Sequence, residues 1–146
     1  MRIGVLNNVR AGRNPRRVAR VRTFLKAHPE IPHVETESGE HVGEALSLLA
    51  QKEVDLLAIH GGDGTLQRTL TEILSDGHFA QPPLIAPLRG GRTNMNALDL
   101  GSRRNPVTAS VSLRQMAPAQ AGITRTAQGG RLLQGPVDIF LTVGTP

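Results

Sequence analysis

The chain has no cysteine, tryptophan or tyrosine, and only three phenylalanines in 146 residues. Without cysteine there are no disulfides, thiolate zinc sites or cysteine nucleophiles. Rings make up 2% of the residues, so aliphatic side chains must fill the core. The same shortage removes the stacking platforms that hold single-stranded nucleic acid, and no nucleic-acid partner is expected. No apolar run approaches the roughly 20 residues of a membrane-spanning helix. The opening "MRIGVLNN" is too short for a signal peptide and reads as a strand, so a cytoplasmic protein is expected. Lysine is scarce as well: 15 of the 17 basic residues are arginine.

What remains suits one domain with a substantial core: 38% of the residues are hydrophobic. The net charge of +5 is uneven. Residues 1–76 carry ten basic and ten acidic residues, and residues 77–146 carry seven basic and two acidic. The whole excess therefore sits in the second stretch. It suits phosphates, nucleic acid or an anionic membrane surface, and arginine richness is equally the mark of a GC-rich genome.

Three short apolar runs read as strands, Arg2–Leu6, Val54–Ile59 and Leu84–Leu88, and Val34–Glu37 as a weak strand between the first two. Val54–Ile59 is nearly all apolar, as a strand covered on both faces should be. Asn14-Pro15 is a helix start, with Val18, Val21 and Leu25 following at helical spacing until Pro29 and Pro32. Val42, Ala45, Leu46 and Leu49 form a second stripe; Leu66, Leu70, Ile73 and Leu74 form a third. Thr93–Leu100, closed by Gly101, and Val107–Met116 are further candidate helices, with Met95 and Leu98 as core. This β-α-β-α-β-α-β-α order predicts an α/β fold with a doubly wound, mostly parallel, Rossmann-like sheet over residues 1–118. Beyond Pro118, "GITRT" and "RLLQG" read as strands around a glycine turn, and "VDIFLTVGTP" as one more. Residues 119–146 are thus expected to begin a second, β-rich unit, with an edge strand of the same domain as the alternative.

The stretch His60 to Leu66, "HGGDGTL", joins the strongest strand to a helix. Glycine lets backbone N–H groups approach an anion, and the helix start adds free donors and partial positive charge. A phosphate is therefore expected at Gly61, Gly62, Gly64, Thr65 and Leu66. Asp63 would repel a phosphate unless a cation intervenes, which points to a magnesium-bound nucleotide with Asp63 at the metal. The plainer alternative is that Asp63 or Thr65 caps the helix. The sequence is neither a Walker loop nor G-x-G-x-x-G. Two more polar, glycine-bearing loops follow other strands: Asn7 to Gly12, "NNVRAG", and Pro87 to Gly101, "PLRGGRTNMNALDLG". All three should meet at the carboxyl edge of the sheet, where such folds bind ligands.

From Arg2 to Met116 these residues resemble the catalytic domain of the diacylglycerol kinase superfamily, which includes sphingosine and ceramide kinases and bacterial lipid kinases. The family's Gly-Gly-Asp-Gly-Thr is intact at Gly61 to Thr65. Its Asn-Pro-x-Ser-Gly loop is matched by Asn8 to Gly12, keeping the asparagine and glycine and losing the proline and serine. Thr36 matches a family threonine. The family's Pro-x-Gly-Thr-x-Asn is similar to Pro87 through Asn94 with two extra residues. Arg92 stands there in place of threonine, and Thr93 is displaced by one. The resemblance implies transfer of the ATP γ-phosphate to a lipid hydroxyl, with ATP and Mg2+ as cofactors. It implies nucleotide contacts at Asn8, Arg10, Gly12, Thr36, Gly61 to Leu66, Gly91, Arg92, Thr93 and Asn94, with Asp63 as catalytic and metal residue. It also implies a second domain carrying the catalytic base. "GPVDIFLTVGTP" is similar to the entry into that domain, and this chain alone is expected to bind nucleotide weakly and transfer no phosphate. An anionic membrane is the implied peripheral surface; no oligomeric state is implied.

Arg10 and Arg13 are expected at phosphate, and Arg16, Arg17, Arg20 and Arg22 on a solvated helix face. Arg89, Arg92, Arg103 and Arg104 flank the fourth-strand loop, where guanidinium can hold phosphate bidentately. His28, His33, His41, His60 and His78 show no metal spacing; His60 reads as a structural residue that could line the site. Two alternatives remain: an NAD kinase or phosphofructokinase-like enzyme, which shares Gly-Gly-Asp-Gly, and a non-catalytic phosphate-binding module. The absence of any Asn-Glu pair disfavours the NAD kinase.

Overall fold

A computed structural model of the chain describes residues 2–91 in full and the backbone of residues 122–127, 130–134 and 139–143. The amino-terminal part alternates strand and helix: β1 Ile3–Asn8, α1 Pro15–Ala27, β2 His33–Thr36, α2 Val42–Gln51, β3 Leu56–Gly61, α3 Asp63–Asp76 and β4 Leu84–Arg89. Three further strands follow: β5 Gly122–Ala127, β6 Gly130–Gln134 and β7 Ile139–Val143. They form one seven-stranded sheet in the order β2-β1-β3-β4-β7-β6-β5. The first four strands pair in parallel. The last three are antiparallel and extend the sheet from β4. Pairing of β7 to β4 covers Leu84 and Ile85 and stops before Pro87, which has no N–H to give. The α/β, doubly wound fold expected from the sequence is what the chain forms.

The alternation along the strands explains the two layers. Successive residues of β3 point to opposite faces: Leu56 and Ala58 into one core cluster, Leu57 and Ile59 into the other. Val21, Phe24 and Leu25 of α1 cover the first face. Val42, Ala45, Leu46 and Leu49 of α2, with Leu66 and Ile73 of α3, cover the second. All six residues of β3 are buried, and each large aliphatic side chain sealed this way contributes about 1.5–3 kcal/mol. Asn14 caps α1 as its sequence predicts, its side chain accepting from the Arg17 amide at 3.2 Å, with Pro15 first in the helix.

The strands and one helix depart from the local pattern. β1 and β3 run two residues further than the apolar runs, taking in Asn7, Asn8, His60 and Gly61. Leu74, placed in the α3 stripe by spacing, is 58% exposed, whereas Thr69 and Glu72 are buried. The buried face of α3 centres on 66, 69 and 73, and position 74 has turned out of it. The candidate helices Thr93–Leu100 and Val107–Met116, with Met95 and Leu98, lie outside the described residues. Among the described residues no helix is long and apolar enough to cross a membrane.

Candidate functional site

The chain leaves β1 toward β2 on one side and β3 toward β4 on the other. The loops after β1 and β3 therefore part, leaving the crevice at which sheets of this kind bind ligands. Asn8 ends β1, Gly61 ends β3 and Arg89 ends β4, and Gly61 pairs with Arg89 across the sheet. Three loops from distant parts of the sequence meet there.

Their contacts are main chain on main chain. The Gly90 and Gly91 amides both donate to the Gly61 carbonyl, at 2.9 and 3.1 Å. A side-chain carbon on Gly90 would lie 2.6 Å from the Gly61 nitrogen and 2.8 Å from its Cα. Gly12 has φ +64°, and a side chain there would run into the Gly90 carbonyl oxygen. On Gly62 it would come within 3.2 Å of the Gly91 Cα. Gly12, Gly62 and Gly90 are thus required first by close backbone packing, although of the three only Gly62 was expected from its loop to donate to an anion. Gly64 is different: nothing lies within 4 Å of where its side chain would project.

Helix α3 begins in the middle of this cluster. Its cap is Gly62, and no side chain caps it. The Leu66 amide closes the first turn on the Gly62 carbonyl at 3.1 Å, so the amides of Gly64 and Thr65 stand outside the helical ladder. Neither Asp63 nor Thr65 is the cap. Asp63 is the first helical residue, and the Thr65 hydroxyl instead accepts from Asn8 Nδ2 at 2.7 Å. Asn8 Oδ1 in turn accepts from the Arg10 amide at 3.0 Å, and the Val9 amide reaches the Thr36 carbonyl at 3.0 Å. Asn8 thereby ties the first loop to α3. Asn8→Ala should lower stability by about 1 kcal/mol, read from urea unfolding; an unchanged midpoint would mean that the tie contributes nothing.

Beneath the loops lies a polar chain. His60 is fully buried, and its Nδ1–H donates to Asn7 Oδ1 at 2.7 Å. Asn7 Nδ2 reaches Glu35 Oε1 at 3.3 Å, and Arg22 grips both oxygens of Glu35 at 2.7 and 2.8 Å. Burial, helped by the nearby Arg17 charge, pushes the His60 pKa down to about 4. The Arg22 hydrogen bonds hold Glu35 below the usual carboxylate range. His60 is therefore a neutral, structural residue below the crevice. Arg17 and Arg22, expected on a solvated face, are partly engaged instead: Arg22 with Glu35, and Arg17 with the Arg89 carbonyl at 3.3 Å. A helical wheel could not have shown it, since both partners are remote in sequence. The Thr36 hydroxyl is buried without a hydrogen-bond partner at the end of β2.

The sequence pattern of the diacylglycerol kinase catalytic domain matches residues 2–125. The chain belongs to this family. Among solved structures, it is similar to one described as a diacylglycerol kinase from Bacillus anthracis str. Sterne, at TM-score 0.63 and 21% identity. A second from the same organism, described as a candidate diacylglycerol kinase, gives TM-score 0.65 and 21% identity. In both cases the match covers 84% of this chain and 41% of the other, so the chain spans about two fifths of their length. At that identity the likeness shows the fold. No curated protein matches the chain.

Within this diacylglycerol kinase domain, Asn8, Gly12, Gly61, Gly62, Asp63, Gly64, Thr65 and Gly91 gather at the crevice. Leu66 is buried beneath it, in a shallow depression with Ile59, Gly61, Gly62, Asp63, Pro87 and Leu88. Thr36 stands beside Asn8 in register on the neighbouring strand. The Arg10 guanidinium pairs with Glu37 at 2.9 Å, both side chains being exposed. Arg92, Thr93, Asn94, Arg103 and Arg104 lie outside the described residues. A larger depression, lined by Arg2, Pro29, Glu30, Pro32 and Lys52, is at the opposite edge of the sheet.

Proposed function

We propose that this chain is the nucleotide-binding part of a lipid kinase, holding ATP with magnesium at the crevice after β1, β3 and β4. The observation that carries the reading is the start of α3. A glycine-capped helix presents amides at the switch point, and Gly64 has open space where a phosphate would come. The family supports a kinase, and the crevice is where a nucleotide fits.

The residues also suit a divalent cation. Magnesium takes one or two carboxylates, keeps waters and relies on the phosphates for the rest. Asp63, half-buried at the head of α3, offers the carboxylate. Bound there, magnesium would screen the charge of the triphosphate. The protein's own part is positioning: backbone amides of the α3 turn orient the phosphates, and Asn8 and Thr65 hold the first loop against them. In the transfer the lipid hydroxyl oxygen bonds to the γ-phosphorus, the bond to the bridging oxygen breaks, and ADP leaves. The hydroxyl proton passes to a carboxylate base, assigned by the family resemblance to a second domain. The site residues Asn8, Arg10, Gly12, Thr36, Gly61 to Leu66, and Gly91 to Asn94 remain our assignment, as do the domain limits 1–118 and 119–146. The lipid, the anionic membrane surface and the cytoplasmic location belong to the same proposal.

Calorimetric titration with ATP tests it. Saturable binding that needs Mg2+ is expected, with Gly64→Ala weakening it about tenfold or more, since a methyl group would intrude on the phosphate path. Asp63→Asn should weaken the magnesium dependence in the same assay. Absence of saturable binding would remove the nucleotide; binding indifferent to Mg2+ would favour a phosphate module instead.

A further inference from the structure

At the far end of α3 lies a group of polar side chains that the crevice does not use. Glu72, Asp76 and His78 bring one ligand atom each to within 4.8 Å of one another. His78 Nε2 is 3.5 Å from Glu72 Oε2 and 3.8 Å from Asp76 Oδ2, and it is buried with no hydrogen-bond partner.

The other ring nitrogen fixes the proton. The Ser47 hydroxyl donates to the Gly43 carbonyl at 3.1 Å, which leaves its oxygen as an acceptor. His78 Nδ1, 3.0 Å away, must then be the N–H that reaches it. In the neutral ring Nε2 is a lone pair aimed at two carboxylates, which is repulsive unless a cation lies between. A histidine whose Nδ1–H is held by an outer partner while Nε2 faces carboxylates has the posture of a metal ligand. The helix adds to the demand. The last turn of α3 holds Asp76 and no basic residue, so the negative end of the helix dipole is uncompensated there. Arg68 pairs with Glu72 Oε1, which cancels one negative charge and leaves Oε2 turned to His78. Among the described residues, the charged groups facing His78 are thus Glu72 and Asp76, with Arg68 on the far oxygen of Glu72.

We propose that Glu72 Oε2, Asp76 Oδ2 and His78 Nε2 form a divalent transition-metal site of the zinc or manganese class. One imidazole and two carboxylates suit such an ion better than calcium or magnesium, which favour all-oxygen shells. Bonds of about 2.0–2.2 Å place neighbouring ligand atoms roughly 3.3–3.6 Å apart in a tetrahedral shell. Glu72 and His78 already stand at that separation, and the exposed Asp76 carboxylate needs only to swing inward. The ion would clamp the end of α3 to the segment after Gly77 and, through Ser47, to α2. Its role is structural, since the crevice lies about 20 Å away along the helix.

Titration of the full chain with ZnCl2 and MnCl2, with thermal unfolding in parallel, tests this site. One equivalent should bind and raise the unfolding midpoint. Asp76→Asn, a change at an exposed position that leaves the fold alone, should weaken binding about tenfold or more, at least the loss typical of removing an outer-shell partner. Ser47→Ala should weaken it in the same direction. His78→Ala should abolish it, and cobalt absorption should lose its histidine-dependent bands. No saturable uptake, or uptake indifferent to both Asp76→Asn and His78→Ala, overturns the site. So does a midpoint that responds to pH through His78 and not to metal, for then a proton separates the lone pair from the carboxylates.

Discussion

Gly90→Ala is expected to cost about 3 kcal/mol or more of folding stability, at the upper end of what overpacking does. The added carbon would sit 2.6–3.0 Å from the nitrogen, Cα and oxygen of Gly61. Those are backbone atoms at the end of a buried strand, so no side chain can rotate away to make room. Gly12→Ala should be comparably severe, since it combines a collision with Gly90 and a left-handed φ of +64°. Gly64→Ala is the internal control. It places alanine in a helical turn with open space around it, and should be neutral or stabilising by about 0.5–1 kcal/mol. Urea unfolding of the three variants, with unchanged m-values, measures the contrast. A Gly90→Ala protein that unfolds at the wild-type midpoint would show that the three loops do not pack against each other as described.

The second large effect is with acid. His60 has a folded pKa of about 4 against an ordinary 6.5. Above pH 6.5 the ring is neutral in both states and the protein loses nothing. Between pH 6.5 and 4 the unfolded chain takes up a proton that the folded chain refuses, so stability falls as pH falls. The full loss is about 3 kcal/mol, reached near pH 4. Glu35, held below its usual range by Arg22, acts in the same direction at lower pH: its contribution is present above the unfolded pKa and vanishes as the carboxyl protonates. Stability measured from pH 8 to 4 should therefore decline steadily from about 6.5 downward. In His60→Gln, whose side chain does not titrate, the upper part of that decline should flatten. A wild-type curve flat down to pH 4 would mean that the buried ring accepts its proton in place.

The parts of the fold legible in the sequence were those written in local spacing. Val54–Ile59 announced a strand covered on both faces, Asn14-Pro15 announced a helix start, and the glycine loop announced the crevice through its place between strand and helix. The strand ends are not legible in local polarity, because polar residues here do not mark an exit from the sheet. Asn7 and His60 stay in the sheet because the His60 Nδ1–H meets Asn7 Oδ1 across β1 and β3 while Asn7 Nδ2 reaches Glu35, although His60 Nε2 is left without a hydrogen-bond partner. Leu74 lies outside the core because a stripe of four leucine-like residues spans more of the helix than the core covers, and Thr69 and Glu72 are buried instead. Thr69 satisfies its hydroxyl on the Thr65 carbonyl, and Glu72 pairs with Arg68. At the site, the sequence showed that the loops after β1, β3 and β4 converge but not what holds them. The glycine contacts link positions 12, 61, 62, 90 and 91, and no local pattern carries information across such distances.

That separation has a consequence for the order of events in folding. The first loop, the head of α3 and the third loop come together only after β1, β3 and β4 have all paired, each across a long stretch of intervening chain. Contacts of that sequence separation are slow to form, and parallel pairing is intrinsically slow. The crevice is therefore completed late, and partially folded chains lack it. A ligand of the crevice would then discriminate finished molecules from unfinished ones, and would stabilise the finished state by a free energy that grows with the logarithm of its concentration.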